Sequence, residues 1–179
     1  MKDWFIRQTR RAYSPAARLL ALIPAAMLFV GALPLLLVIL GRALDGRLGL
    51  PAVFWQPVNW IAGLLLLAIG VPLAMWTIIV QFSIGRGTPI PLMATQKLII
   101  QPPYTLCRNP MALGTILAYL GVAVIIGSLA AAGLVMLSAL ALLLYIRRFE
   151  EMEMEERFGA EYVAYRQRTP FLIPRLTGK

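Results

Sequence analysis

Between Asn109 and Ile146 the chain runs for 38 residues without a charged side chain. As a single helix that run would measure about 57 Å, nearly twice the ~30 Å hydrocarbon thickness of a bilayer. It has to turn back. Gly127-Ser128 lies near its middle, so the spacing predicts a tight hairpin of two spans, about Pro110 to Ile126 and Leu129 to Arg148. Gly114, Ala118, Gly121 and the small residues 130–133 are expected to let backbones approach closely there.

Two earlier uncharged runs have the same character. Leu19 to Gly41 gives 23 residues bounded by Arg18 and Arg42. That is longer than the roughly 7 to 15 residue core of a signal peptide and lacks a small-residue cleavage site, so it reads as a retained span. Pro24 and Pro34 are expected to kink it. The run from Leu48 to Gly85 opens with Pro51, Trp55, Pro57 and Trp60, an interfacial entry segment, and continues as a second span from Val58 to Phe82. With 60% hydrophobic against 14% charged residues and a mean hydropathy of +0.77, the composition lies outside that of soluble domains. The expected fold class is all-α: a polytopic membrane protein with about four transmembrane helices, a re-entry loop and a C-terminal amphipathic helix. Residues 1–179 form a single membrane domain, with two spans in 1–84 and a core for chemistry in 85–179.

Lys and Arg are distributed unevenly about these spans. Segments 1–18, 83–109 and 147–179 carry five, three and seven of them, against two, Arg42 and Arg47, in the intervening loop. Excess positive charge stays in the cytosol, so both termini are expected there, in a membrane of the bacterial inner-membrane type. The net charge of +9 comes from arginines flanking apolar segments, which suits anionic lipid headgroups and not nucleic acid.

The chain has no histidine, which excludes a Ser-His-Asp triad, a His-liganded metal and an imidazole base. Cys107 is the single cysteine, so neither an intrachain disulfide nor a thiolate metal cluster can form. Two polar stretches remain. The loop from Gly85 to Gly114 is too proline-rich for a helix and too apolar for a solvated tail, so it must pack against something. At its end, Asn109 suits a helix N-cap and Arg108 a membrane anchor, while the helix start at Pro110 also offers free N–H groups to an anion. The stretch from Arg147 repeats Phe149, Met152, Phe158, Tyr162 and Tyr165 at helical spacing, with an i,i+4 pair from Arg147 to Glu151 and a break at Gly159. Glu153, Glu155 and Glu156 fit a solvated face. Glu150 and Glu151 lie at the bilayer boundary, where an ionisable group is costly unless it is paired or functional.

The residues Pro102-Pro103-Tyr104, Arg108-Asn109-Pro110, Gly114, Glu150-Glu151, Met154, Phe158-Gly159, Tyr162, Tyr165 and Pro170 to Pro174 stand in a recognisable order. This half of the chain resembles the superfamily of isoprenylcysteine carboxyl methyltransferases and phospholipid methyltransferases. Its signature runs G-P-Y-x-x-x-R-H-P-x-Y-x-G, a hydrophobic hairpin, E-E-x-x-L-x-x-x-F-G-x-x-Y-x-x-Y and a closing P-x-x-I-P. In this chain Asn109 replaces the histidine, Ala112 the second tyrosine and Pro102 the first glycine. The resemblance implies methyl transfer from S-adenosylmethionine to a lipophilic small molecule or lipid at the cytosolic face. It implies cofactor contacts from Lys97, Leu98, Ile99, Tyr104, Asn109, Pro110, Met111, Ala112 and Glu150. The arginine that would contact a prenylcysteine carboxylate is Ile146 here, and its neighbour Arg147 points about 100° away on a helix, leaving it a weak substrate contact. A non-catalytic membrane scaffold that kept the fold is the rival reading.

Overall fold

The computed structural model describes residues 13–52, 55–88, 93 and 95–174. Among these every regular element is helical. Helix α1 (Pro15–Ala26) passes through a π-helical turn, Met27–Ala32, into α2 (Leu33–Leu48). Then come α3 (Gln56–Ser83), α4 (Pro110–Ile125) and α5 (Leu129–Tyr145). A second π turn, Ile146–Glu150, leads into α6 (Glu151–Arg168). Three continuous helices, Pro15–Leu48, Gln56–Ser83 and Leu129–Arg168, are long and apolar enough to cross a membrane, and α4 is a shorter apolar helix of 16 residues. The apolar part of the third ends at Ile146, because Arg147, Arg148, Glu150 and Glu151 follow at once.

Local sequence accounts for the helix ends. Ser14 caps α1 by accepting a hydrogen bond from the Ala17 amide at 3.2 Å, with Pro15 in the first turn. Gly127 makes the predicted reversal with φ +66°, and the Ser128 hydroxyl accepts from the Ala131 amide at 3.0 Å. Asp45 of α2 adds a second cap to α5 by accepting from the Ala130 amide at 2.9 Å. Gly159 interrupts α6 with φ 56° and ψ −133°, as its position in the amphipathic stretch suggested.

The closest helix contact is not inside the 110–148 hairpin. It lies between α3 and α4, which run antiparallel with Gly63 facing Gly121 and Gly70 facing Gly114. A Cβ on Gly114 would stand 2.7 Å from the Gly70 carbonyl oxygen and 2.7 Å from the Ala74 nitrogen. One on Gly121 would stand 2.8 Å from the Gly63 oxygen. Two glycines seven residues apart on each helix bring the backbones together where side chains would hold them off. Gly133 of α5, by contrast, faces open space. The small residues of α4 thus pack on the preceding span, while Ala131 of α5 packs on Gly41 of α2.

The first long helix is tied to this pair at both levels. The buried Arg18 donates from Nη1 to the Phe82 carbonyl at 2.7 Å and lies 4.5 Å over the Phe82 ring, a cation at the C-terminal end of α3. Further along, the π turn places the Leu33 amide on the Leu28 carbonyl. The same register would assign the Phe29 carbonyl to Pro34, which has no N–H. The Tyr119 hydroxyl of α4 takes that carbonyl instead, at 2.7 Å. Pro34 therefore acts by freeing an acceptor for a neighbouring helix.

Candidate functional site

The loop between α3 and α4 packs onto the end of α3, as its composition required. Gly85 has no room for a Cβ, which would meet Thr95 Cγ2 at 2.7 Å and Ile99 Cδ1 at 2.8 Å. Ile99 and Cys107 are 5% and 1% exposed, so the loop has its own buried side. The charged helix α6 holds it from the other flank. Tyr165 donates its hydroxyl to the Tyr104 carbonyl at 2.8 Å, and Arg157 donates to the Thr95 carbonyl.

Residues after α6 close the assembly. The Arg108 amide donates to the Pro170 carbonyl at 2.8 Å, and Asn109 donates from Nδ2 to the Phe171 carbonyl at 2.9 Å. Asn109 does stand at the N-cap position of α4, but its side chain makes no capping bond. Arg108 is not a solvated anchor. Its Nη2 pairs with Glu151 Oε1 at 2.9 Å, with both side chains close to nine-tenths buried. The i,i+4 pair expected between Arg147 and Glu151 does not form, because Glu151 is engaged by Arg108 and exposed Arg147 lies 5.9 Å from the Phe171 ring.

Beside these contacts lies a cavity of about 160 Å³. Of the residues proposed from the sequence, Leu98, Ile99, Tyr104, Asn109, Pro110 and Glu150 line it. Met111 lines a second cavity instead, of about 420 Å³. Lys97, Ala112 and Arg147 line neither. Loop and acidic helix, some 40 residues apart in sequence, thus face one space. The walls also include Gln81, Arg108, Ile146, Glu151 and Tyr162, none of which the sequence had assigned to the site as a cofactor contact. Gln81 carried a signal, since an amide near the end of an apolar span has to find a polar neighbour.

Electrostatics in the cavity follow from burial. Gln81 donates from Nε2 to the Tyr104 hydroxyl at 2.6 Å. Burial, opposed by that bond and reinforced by the Glu150 charge, pushes the Tyr104 phenol up to about 12. Burial and the Glu151 carboxylate likewise push Tyr162 up to about 12. Glu150 is held above the usual carboxylate range, first by burial and then by Glu153. Gln81 Oε1 and Arg108 Nε are buried without a hydrogen-bond partner, and Glu151 Oε1 has only its ion pair with Arg108.

The second cavity lies between α1, α3 and α4 and is lined by apolar residues such as Phe29, Val71, Met75 and Met111, with Tyr119 at its wall. Since Pro110 lines the first cavity and Met111 the second, the first turn of α4 separates a polar space from an apolar one.

A helical membrane protein with this loop, hairpin and acidic helix has the build of a membrane-embedded methyltransferase. The comparison with known families agrees: residues 58–161 match the phospholipid methyltransferase family, and the chain belongs to it. Among curated proteins it is similar to methanethiol S-methyltransferase 2 of Bradyrhizobium diazoefficiens, 35% identical over 96 residues. That match covers 53% of this chain and 34% of the relative, so the chain spans about a third of the relative's length. No solved structure matches the chain.

Proposed function

We propose that this protein transfers a methyl group from S-adenosylmethionine to a lipophilic acceptor at the cytosolic face of the membrane. The observation that carries the reading is convergence: Leu98, Ile99, Tyr104, Asn109 and Pro110 from the loop meet Glu150 from the acidic turn around one cavity. The charged walls are Arg108, Glu150 and Glu151, one cation against two carboxylates, which favours a ligand with net positive charge. Buried polar atoms left without partners fit a polar ligand there.

When bound, the donor supplies a methyl on a sulfonium, whose departure as a neutral thioether requires no acid. The acceptor's lone pair forms the new bond to the methyl carbon, and the carbon–sulfur bond breaks. What remains for the protein is orientation and exclusion of water. Both are within reach of a chain that has no histidine. Tyr104, braced by Gln81 and Tyr165, fixes the loop, and the segment 169–174 closes over Arg108 and Asn109. The apolar cavity next to Met111 receives the acceptor from the bilayer side. Its 420 Å³ is an order of magnitude above the ~30 Å³ share of one water, room for more than a thiol as small as the one in the relative's name.

Incubation of the purified protein, in detergent, with S-adenosylmethionine and a membrane lipid extract tests this. The expected result is formation of S-adenosylhomocysteine that depends on the extract, together with calorimetric binding of the donor. Absence of binding at millimolar donor would replace this reading with a scaffold that kept the fold.

A further inference from the structure

The apolar cavity has a length as well as a volume. Its lining advances in step along three helices, over residues 22–34 of the first long helix, 67–78 of α3 and 111–122 of α4. At 1.5 Å per residue these stretches make a slot about 16 to 18 Å long, close to half the ~30 Å hydrocarbon thickness. Met111 stands at the end that adjoins the polar cavity, and Phe29 and Val30 are 46% and 77% exposed, so the slot borders the bilayer beside the first helix. The lining side chains carry two hydroxyls, Thr115 and Tyr119. The second is spent across the slot, where Tyr119 of α4 donates to the Phe29 carbonyl that Pro34 leaves free. Tyr119 lies eight residues beyond Met111. That places the bond about 12 Å down the slot. Pro34, Leu67 and Val122 line the cavity beyond it, so the bond is a bar across the slot and not its floor.

We propose that Tyr119 is a specificity-determining residue: its bond to Phe29 fixes the width of the slot at that level, so that a single unbranched hydrocarbon chain passes and a chain thickened there by a branch or ring does not. The inference rests on reading this cavity as the acceptor's and deepens it by naming the shape of acceptor it takes. Hydrocarbon offers no water to replace a broken hydroxyl-to-carbonyl bond, so the bar is costly to open. Its two ends are also held. Tyr119 stands on α4, whose backbone is seated against α3 by the glycine seam, and Phe29 stands on the helix whose buried Arg18 is fastened to the Phe82 carbonyl. A chain lying along the slot therefore passes between the bar and the wall that Leu67 and Val71 of α3 provide.

The test is photolabelling of the full chain in lipid nanodiscs, without methyl donor, by a stearic acid that carries a diazirine at mid-chain, with labelled residues mapped by mass spectrometry. Competitors are stearic acid and 10-phenylstearic acid, which bears a ring at mid-chain. In the parent, label should fall on residues of the slot, and stearic acid should displace it at a concentration about 10-fold or more below that of the phenyl compound. Two variants attack the bar from opposite ends. Tyr119→Phe removes the donor and keeps the ring. Pro34→Ala leaves Tyr119 intact but gives the helix the missing amide, which competes for the Phe29 carbonyl. In each the preference for the unbranched chain should fall below about threefold. Tyr145→Phe, which lines neither cavity, should keep the parental preference. A parental preference in either Tyr119→Phe or Pro34→Ala, or none in the parent, overturns the bar while leaving the cavity as the acceptor's. If no label falls in the slot of the parent, the acceptor reading of this cavity fails and the bar with it.

Discussion

The glycine seam between α3 and α4 gives a sharp test of what holds the site in place. In Gly114→Ala the new Cβ would lie 2.7 Å from two backbone atoms, the Gly70 oxygen and the Ala74 nitrogen. Neither can rotate away, so the helices must part by roughly 0.7 Å to restore ordinary contact. A gap of that size forfeits about a quarter to a half of the dispersion energy of each contact along the seam. Overpacking of this kind costs about 1 to 3 kcal/mol, or some 2 to 4 °C of melting temperature per kcal/mol for a chain of this length. Gly133→Ala is the matched control, because its Cβ meets nothing within 4 Å and alanine is favoured over glycine in a helix by about 1 kcal/mol. Scanning fluorimetry of the three proteins in one detergent should place Gly114→Ala below the parent and Gly133→Ala at or above it. Binding of S-adenosylhomocysteine should weaken in the first alone, since α4 begins at the cavity wall with Pro110. If Gly114→Ala proves as stable as Gly133→Ala, the backbone seam does not hold these helices.

Glu150→Gln keeps shape but removes a charge-assisted bond worth about 1.5 to 3 kcal/mol, so donor affinity should fall roughly 10-fold to 150-fold, while Glu155→Gln, on the exposed side and paired with Arg166 at 2.8 Å, should change it little. Equal effects, or none, would remove the acidic turn from the pocket. Tyr104 and Tyr162, both pushed up to about 12, bind their protons more tightly in the folded protein than an exposed phenol near 10 does. The stability this gives is complete below about pH 10 and is lost as pH rises toward 12. Absorbance titration of phenolate should show a late-ionising fraction that shrinks in Tyr104→Phe; an unchanged profile would mean that the Tyr104 site is wet. Reporter fusions at residues 1 and 179 should both read cytosolic, and a periplasmic signal from either would invert the orientation drawn from the basic residues.

The parts of this fold that the sequence announced are those that depend on local chemistry. A 38-residue uncharged run has to fold back, and Gly127 was the place where a left-handed turn costs least. Gly159 broke the acidic helix for the same reason. Of the residues that the resemblance marked, Leu98, Ile99, Tyr104, Asn109, Pro110 and Glu150 line one cavity, whereas Lys97, Met111 and Ala112 do not. What stayed hidden were choices among partners. Periodicity marks Gly114 and Gly121 as lying on one face of a helix, yet it does not say that Gly70 and Gly63 lie opposite. Arg147 and Glu151 have the spacing of an ion pair, but Arg108, 43 residues earlier, reaches Glu151 in a drier place. Gln81 looked like the end of a span until Tyr104 stood beside it.

Asn109 shows how the site copes with the residue that departs most from its family pattern. An imidazole at this position could titrate; an amide cannot, and here its NH2 group is spent on the Phe171 carbonyl. The same short segment accepts the Arg108 amide at Pro170, and Phe171 lies 5.6 Å from the Arg108 guanidinium. Asn109 and Arg108 therefore fasten the chain that follows α6 over the loop, and Arg108 in turn fastens Glu151 of α6. Holding the loop in this way requires no proton transfer. For the methyl transfer proposed above, whose leaving group departs neutral, a well-held wall is worth more than a base, so that reading does not require a titratable group where Asn109 stands.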